Sequence, residues 1–449
     1  MHDQRNTMLA NENIGNLIVK LASPAIVGLV MQAVYNLVDT IFVGRGLGDQ
    51  SMLGIAGISV AFPVQMLMMA IALGVGIGGA SIISRSLGAG KLERAERTVG
   101  NMVTMVILAS LIFTVLGLMF MEPMLALFGA SSTVMPFASE YTYYILIGTV
   151  FFTFSTAMSN AIRAEGNTFF AMALMLVGSI TNIILDPIFI FEFGMGIKGA
   201  AIATVISQIL STLMVIYYYA SNRATVSFVP HTLRPDPSII QESTYIGMSE
   251  FLFNVMESSL FLLFNQSLLY YGGDVAIAVF GIIIKVFMLT LMPIIGIKQA
   301  IQPIFGFNYG ASNFDRVKRT ISLSSYIATG LCLLSTIIVF LIPEQIILIF
   351  SDDPALVSMG VPALKICYLM MPFIGAQVVA TALLQSLGKS KESLILTLSR
   401  QIIFLPPLVV IFPLFFGLTG VWLSFPVSDF LAAVVAVILM QKEARKLDH

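Results

Sequence analysis

The sequence predicts an all-α polytopic membrane protein, with twelve transmembrane helices in two six-helix lobes related by a pseudo-two-fold axis along the membrane normal. Three observations carry this prediction. Of 449 residues, 57% are apolar and 10% charged, with a mean hydropathy of +0.94, a combination far outside the soluble range. Twelve apolar runs follow one another between charged and Gly/Pro breaks, and spans of about 20 residues use roughly 240 residues, so a large soluble domain has no room. The second half of the chain also repeats the first.

Reading in order, the N-terminal stretch Met1 to Asn13 is polar and lacks the basic region, apolar run and small-residue cleavage site of a signal peptide. The apolar runs then lie near 15–43, 53–80, 98–120, 136–162, 168–192, 198–220, 243–271, 275–303, 320–342, 359–386, 391–414 and 420–441. An even number of spans puts both termini on one side. The loops on that side hold Arg85, Lys91, Arg94, Arg97, Arg163, Arg223, Arg234, Arg316, Lys318, Arg319, Lys389, Lys391 and Arg400, whereas the opposite loops hold little beyond Arg45 and Lys198. Basic loops stay inside. Both termini are therefore expected in the cytoplasm, with the chain in the inner (plasma) membrane.

The repeat appears at an offset of about 222 residues. Leu87-Gly88-Ala89 with Arg94 and Arg97 falls on Tyr309-Gly310-Ala311 with Arg316 and Arg319, Gly166 falls on Gly388, and after a one-residue slip Gly196 and Gly199 fall on Gly417 and Gly420. Six spans per half give both halves the same orientation. The expected division is an N-lobe over 1–220, a cytoplasmic linker over 221–242 with Pro230, Pro235 and Pro237, and a C-lobe over 243–449.

Several function classes drop out. A net charge of −1 and a pI near 6.3 give no basic footprint for nucleic acid. Cys332 and Cys367 lie in apolar runs, where a small hydrophobe is expected and a disulfide is not. The histidines, His2, His231 and His449, all lie outside the spans, so no metal site is expected. Gly74-Val-Gly76-Ile-Gly78-Gly79 has no strand before it and reads as close helix packing, not a dinucleotide loop. Gly388-Lys389-Ser390 lacks the first glycine of a phosphate loop, because position 383 is Leu383. Neither an enzyme nor a cofactor is expected, and any pumping must draw on an ion gradient.

An ionisable group inside a span costs roughly 2.5 to 3.5 kcal/mol at a helix centre, so each one needs a reason. Asp39 in the first span shares a stripe with Tyr35, Asn36, Gln32 and Gly28, and Asp186 in the fifth shares one with Asn182 and Ser179. Both spans run the same way, and each aspartate sits about six residues before the outer end, so the two lie at matching depth. Thr204 of the sixth span reaches the same level. Paired carboxylates in a poorly solvated pocket make a proton carrier, and with Asn and Thr oxygens they also suit a hard cation such as Na⁺. Pro24, in the same span as Asp39, frees a backbone carbonyl and is a candidate hinge; Pro187 loosens the helix beside Asp186.

In the second half, Glu250, Asn254 and Glu257 share a face of the seventh span, and a Glu257–Lys285 pair is a possible C-lobe site; the part played by Glu250 and by Asp429 stays open. With 26 methionines and 33 phenylalanines, residues such as Met31, Met66, Met68, Met69, Met172 and Met175 offer an adaptable apolar lining. Together with Gln32, Asn36 and Ser179 on the polar stripes, Met31, Met66, Met69 and Met175 are the expected walls of a substrate cavity.

The duplicated plan, the stretch from Pro24 through Tyr35-Asn36-Leu37-Val38-Asp39-Thr40-Ile41-Phe42-Val43-Gly44, the loop Leu87-Gly88-Ala89-Gly90-Lys91 and Asn182-Ile-Ile-Leu-Asp186-Pro187 resemble the MATE (multidrug and toxic compound extrusion) transporters, and most of all their DinF-type branch. The resemblance implies an antiporter that exports cationic or amphipathic organic compounds in exchange for H⁺ or Na⁺ by alternating access. It implies an N-lobe coupling site at Tyr35, Asp39, Asn182, Asp186 and Thr204, with Pro24 at a responsive bend. The expectation is H⁺-coupled export by a monomer whose partners are small organic molecules and the bilayer. Na⁺-coupled antiport and a lipid or lipid-linked sugar flippase are the alternatives within transport.

Overall fold

A computed structural model of the chain describes residues 2–46, 51–221, 223–228, 230–350 and 353–447; His449 and two residues of the expected linker, Asn222 and Val229, lie outside that set. The described elements are helical: α1 (His2–Asn11), α2 (Ile14–Gly46), α3 (Ser51–Gly88), α4 (Leu92–Met119), α5 (Met121–Leu127), α6 (Met135–Ala164), α7 (Thr168–Pro187) and α8 (Gly196–Ala220), then α9 (Pro237–Gly310), α10 (Phe314–Leu341), α11 (Pro343–Leu348), α12 (Pro354–Tyr368), α13 (Met371–Ser386), α14 (Ser390–Leu398) and α15 (Leu405–Lys446).

Nine described helices are long and apolar enough to cross a bilayer, and α12 with α13, inclined by 45°, makes a tenth. The remaining two spans are hidden by length. α9 has 74 residues, about 111 Å at the usual rise per residue, far more than a bilayer's thickness. It is broken at Gly273 (φ 65°, ψ −163°), and α15 is broken at Gly417 (φ 54°, ψ −138°), a region of backbone space that essentially only glycine enters. Divided there, the chain crosses twelve times.

The internal repeat is visible in the backbone. α4 and α10 both start and end 222 residues apart. Positive φ recurs at Gly90 and Ser312 (71° and 58°), at Gly166 and Gly388 (80° and 73°), and, after the one-residue slip, at Gly196 and Gly417 (55° and 54°).

The glycine run in α3 packs helices, as its sequence suggests. A Cβ on Gly78 would overlap the carbonyl of Ser243, and one on Gly247 would overlap the backbone of Gly74, so α3 and the first arm of α9 meet backbone to backbone. Further along, Gly306 and Gly310 of the second arm lie against Ser84 and Arg85 of α3. These contacts close the bundle at the end that carries both chain termini. In the second half, Phe264 stacks between Phe425 at 4.3 Å and Phe280 at 5.5 Å. Cys332 and Cys367 are buried and free.

α1 straps the two halves together at the closed end. Arg5 donates to the Tyr218 hydroxyl and the Arg223 carbonyl, both at 3.0 Å. From the other half, Arg316 donates to the carbonyls of Leu9 (3.1 Å) and Glu12 (2.8 Å), and Asn308 Nδ2 to that of Leu9 at 3.2 Å. The segment before α9 lies along α4, where Asn101 Oδ1 accepts from the Asp236 amide at 2.7 Å and Asp236 caps α9 through the Ser238 amide at 2.9 Å.

Beneath the strap, in the turn between α6 and α7, Glu165 is fully buried. It accepts from the Thr225 amide (2.6 Å) and the hydroxyls of Tyr218 (3.0 Å) and Tyr219 (3.4 Å). Burial pushes its carboxyl up to about 7, and these hydrogen bonds with the nearby Arg5 only partly oppose that. A carboxyl whose folded pKa is raised contributes stability that is lost as pH rises through the folded value. The melting temperature of the wild-type chain should therefore fall as pH goes from about 4.5 to 7, and Glu165→Gln should flatten that slope; a pH titration of thermal unfolding for the two proteins checks it.

Candidate ion-coupling site

α2 and α7 pack side by side because Gly28 lets them approach: a Cβ there would come within 2.8 Å of Met175 Sδ. Asp39 lies near the end of α2, 8% exposed, and Asp186 near the end of α7, fully buried. The chain turns after Asp186 through Pro187 into a π-helical turn, Ile188–Glu192, consistent with the ladder bond that a proline nitrogen cannot make. α2, by contrast, stays helical through Pro24.

The two carboxyl groups lie close enough to interact electrostatically. Two ionised carboxylates this close and this buried repel, and a proton on either one relieves that repulsion. Asn182 Nδ2 donates to Asp186 Oδ1 at 3.1 Å and to Thr204 Oγ1 at 3.2 Å, while the Thr204 hydroxyl donates to the Ala200 carbonyl at 3.0 Å. Three oxygens in this group, Asp39 Oδ1, Asp186 Oδ2 and Asn182 Oδ1, are buried without a hydrogen-bond donor. Buried acceptors left in that state are costly. Their common need is a proton donor or a hard cation. Tyr35, half-buried one turn before Asp39, lies close enough to interact electrostatically with both aspartates.

The family profile described as MatE matches residues 24–188 and 251–411, most of the chain and both halves of the repeat. The chain belongs to the MatE family. It is similar to the multidrug export protein MepA of Staphylococcus haemolyticus, 27% identical over 447 residues that span 100% of this chain and 98% of that protein. Among solved structures, a ligand complex of the MATE multidrug transporter DinF-BH is 41% identical with a TM-score of 0.90, each chain covered to 96%. An outward-facing MATE transporter of the MOP superfamily is 27% identical with a TM-score of 0.91, covering 99% of this chain and 98% of that one. MatE proteins are transporters, not enzymes.

Two residues of this MatE chain join the acidic pair without having been singled out from its sequence. Tyr141 of α6, 3% exposed, interacts electrostatically with Asp39, Tyr35 and Asp186, and its hydroxyl accepts from Gln65 Nε2 of α3 at 3.1 Å. Each is a polar residue in an apolar run, which was the available signal. Of the expected cavity walls, Ser179 is buried at 4% exposure, Met31, Gln32, Met66, Met69 and Met175 are half-buried, and Asn36 is exposed.

The second half corrects one expectation. Glu257 and Lys285 are both exposed, and the Lys285 ammonium lies 5.9 Å from the centre of the Phe350 ring instead of on the glutamate. The pair that forms is Glu250–Lys298, at 2.9 Å. The break at Gly273 supplies the reason. Glu257 is sixteen residues before it and Lys285 twelve after, a mismatch of about 6 Å in depth, whereas Glu250 and Lys298, at twenty-three and twenty-five, are nearly level. Asp429 also gains a partner, because Arg400 Nε reaches its Oδ1 at 2.6 Å.

Proposed function

We propose that this MatE protein is a multidrug efflux antiporter that exports cationic or amphipathic organic compounds in exchange for H⁺, with the Asp39–Asp186 pair as the coupling site. The observation that carries this reading is a buried pair of carboxyls whose group leaves three oxygens without a donor, a need that a proton on the pair would meet. In the proposed cycle the pair takes up H⁺ from outside, α2 and α7 shift about it, and substrate leaves from the cleft walled by Met31, Met66, Met69 and Met175. Asn182 and Thr204 orient Asp186; Tyr35, and now Tyr141 with Gln65, border the pair. Pro24 is the proposed hinge in α2. Ion and drug then favour different states, as reciprocal coupling requires.

The 41% identity to DinF-BH, against 27% to MepA, supports the DinF-type branch, and the relatives' multidrug names support the substrate class. The proposed setting is the plasma membrane, with the chain acting as a monomer and both termini in the cytoplasm. The lobes are those given by the repeat, 1–220 and 243–449. Three donor-less oxygens also suit Na⁺, so Na⁺ coupling is the second reading. A flippase for anionic lipid needs a cleft lined with free cations; Lys298 is neutralised by Glu250, and Arg163 faces a cavity of about 10 Å³, too small for a lipid headgroup.

Proteoliposomes loaded with the cationic dye ethidium separate these readings. A pH gradient alone should drive export and a sodium gradient alone should not. Export on sodium alone would transfer the site to Na⁺, and no export of this or any other cationic dye on either gradient would overturn the multidrug reading.

A further inference from the structure

Away from the acidic pair, the two halves enclose a cavity of about 10 Å³ near the closed end. Its walls include Ser81 of α3 and Asn160 and Arg163 of α6 from the first half, and Gln299, Gln302 and Gln385 from the second. One charge dominates it. Arg163 is 7% exposed; its Nη1 donates to Gln299 Oε1 at 2.7 Å, and its Nε is buried with no acceptor. Among the described residues no carboxylate forms an ion pair with it.

The neighbouring charges do not supply the missing anion. Glu250 is already matched to Lys298, and its Oε2 also accepts from Gln385 Nε2 at 2.9 Å. Gln385 Oε1 in turn accepts from Gln302 Nε2 at 3.1 Å. The cluster therefore holds two cations, Arg163 and Lys298, and one carboxylate. A buried cation without a counter-ion costs several kcal/mol, and one monovalent anion would cancel it. The remaining wall groups are suited to such a guest. Asn160 Nδ2 spends one hydrogen on the Thr156 carbonyl at 3.0 Å and Gln302 Nε2 one on Gln385, so each amide keeps a second. The volume is that of one water-sized body, enough for a halide and too small for phosphate or a carboxylic acid.

We propose that this cavity binds one small monovalent anion, chloride in the cell, against Arg163. Because Arg163 comes from one half and Gln299, Gln302 and Gln385 from the other, the anion bridges the halves and favours the state in which this end is closed. The proposal is independent of which ion drives transport.

Crystals of the full chain grown in bromide test it directly. Anomalous density within hydrogen-bond distance of Arg163 Nε is expected, and its absence at saturating bromide would overturn the site. In parallel, the purified protein should melt several degrees higher in sodium chloride than in sodium gluconate at equal ionic strength, since a ligand of the folded state raises the melting temperature. Arg163→Gln should lose that difference. Equal melting of the wild type in the two salts, or an undiminished difference in Arg163→Gln, would each contradict the proposal. The bromide measurement uses the wild-type chain and stands even where the variant fails to fold.

Discussion

Asp39→Asn should reduce ethidium export to the level of protein-free vesicles while leaving the protein folded and inserted, and Asp186→Asn should do the same. Asparagine matches aspartate in size and keeps an acceptor oxygen. Its amide can donate to the facing carboxyl, so the contact between α2 and α7 survives without a mobile proton. What is lost is the ability to take up and release that proton during the cycle. Because the two carboxyls act as one unit, the double variant should be no worse than either single one, the non-additivity expected of coupled residues. Transport assays with thermal unfolding of each variant check both halves of this expectation. An active, well-folded Asp39→Asn protein would remove Asp39 from the mechanism.

The second large effect is structural. Arg400→Leu should destabilise the folded protein by about 3 to 5 kcal/mol, the usual cost of stripping a partner from a buried charge. Asp429 is 1% exposed, and its Oδ1 has Arg400 Nε at 2.6 Å while its Oδ2 has no donor. Removing Arg400 leaves that carboxylate in the core beside Cys367 and Gln377. Replacing both residues with leucine removes the charge together with its partner, and stability should return to near the wild-type value, within about 1 to 2 kcal/mol. Unfolding in detergent, run as a double-mutant cycle, reads the difference. Equal losses in the single and double variants would mean that packing, not the stranded charge, sets the cost.

What the sequence made legible follows the physics each feature depends on. Span positions depend on the local apolar character of the chain, and the predicted 168–192, for example, matches α7 with its π-turn through Glu192. The meeting of Asp39 and Asp186 needed only two parallel spans and equal distance from their ends, both countable along the chain. Asn182 and Thr204 followed from helical periodicity and the same depth. Tyr141 and Gln65 did not, because their approach depends on how α3 and α6 rotate about their axes, which the apolar pattern of a membrane helix leaves undetermined.

The C-half errors have equally specific causes. The turn between the seventh and eighth spans lies where the sequence put it, at Gly273; pairing Glu257 with Lys285 overlooked their unequal distances from it, whereas Glu250 and Lys298 are nearly level. Arg400 lies in a π-helical turn, Ser399–Phe404, where the helical phase shifts, so periodicity along the chain could not aim it at Asp429. Arg163, counted in the sequence only as one more basic residue near an inner loop, is 7% exposed and donates to Gln299 of the other half, a contact between distant parts of the chain that local pattern does not display.

The most direct test of the account is proton movement driven by drug. Vesicles containing the protein, a trapped pH indicator and an imposed pH gradient should lose that gradient when a cationic substrate is added to the wild type, and should keep it with Asp39→Asn or Asp186→Asn. A wild-type protein that moves substrate without moving protons, or an Asp39→Asn variant that still dissipates the gradient, would contradict it.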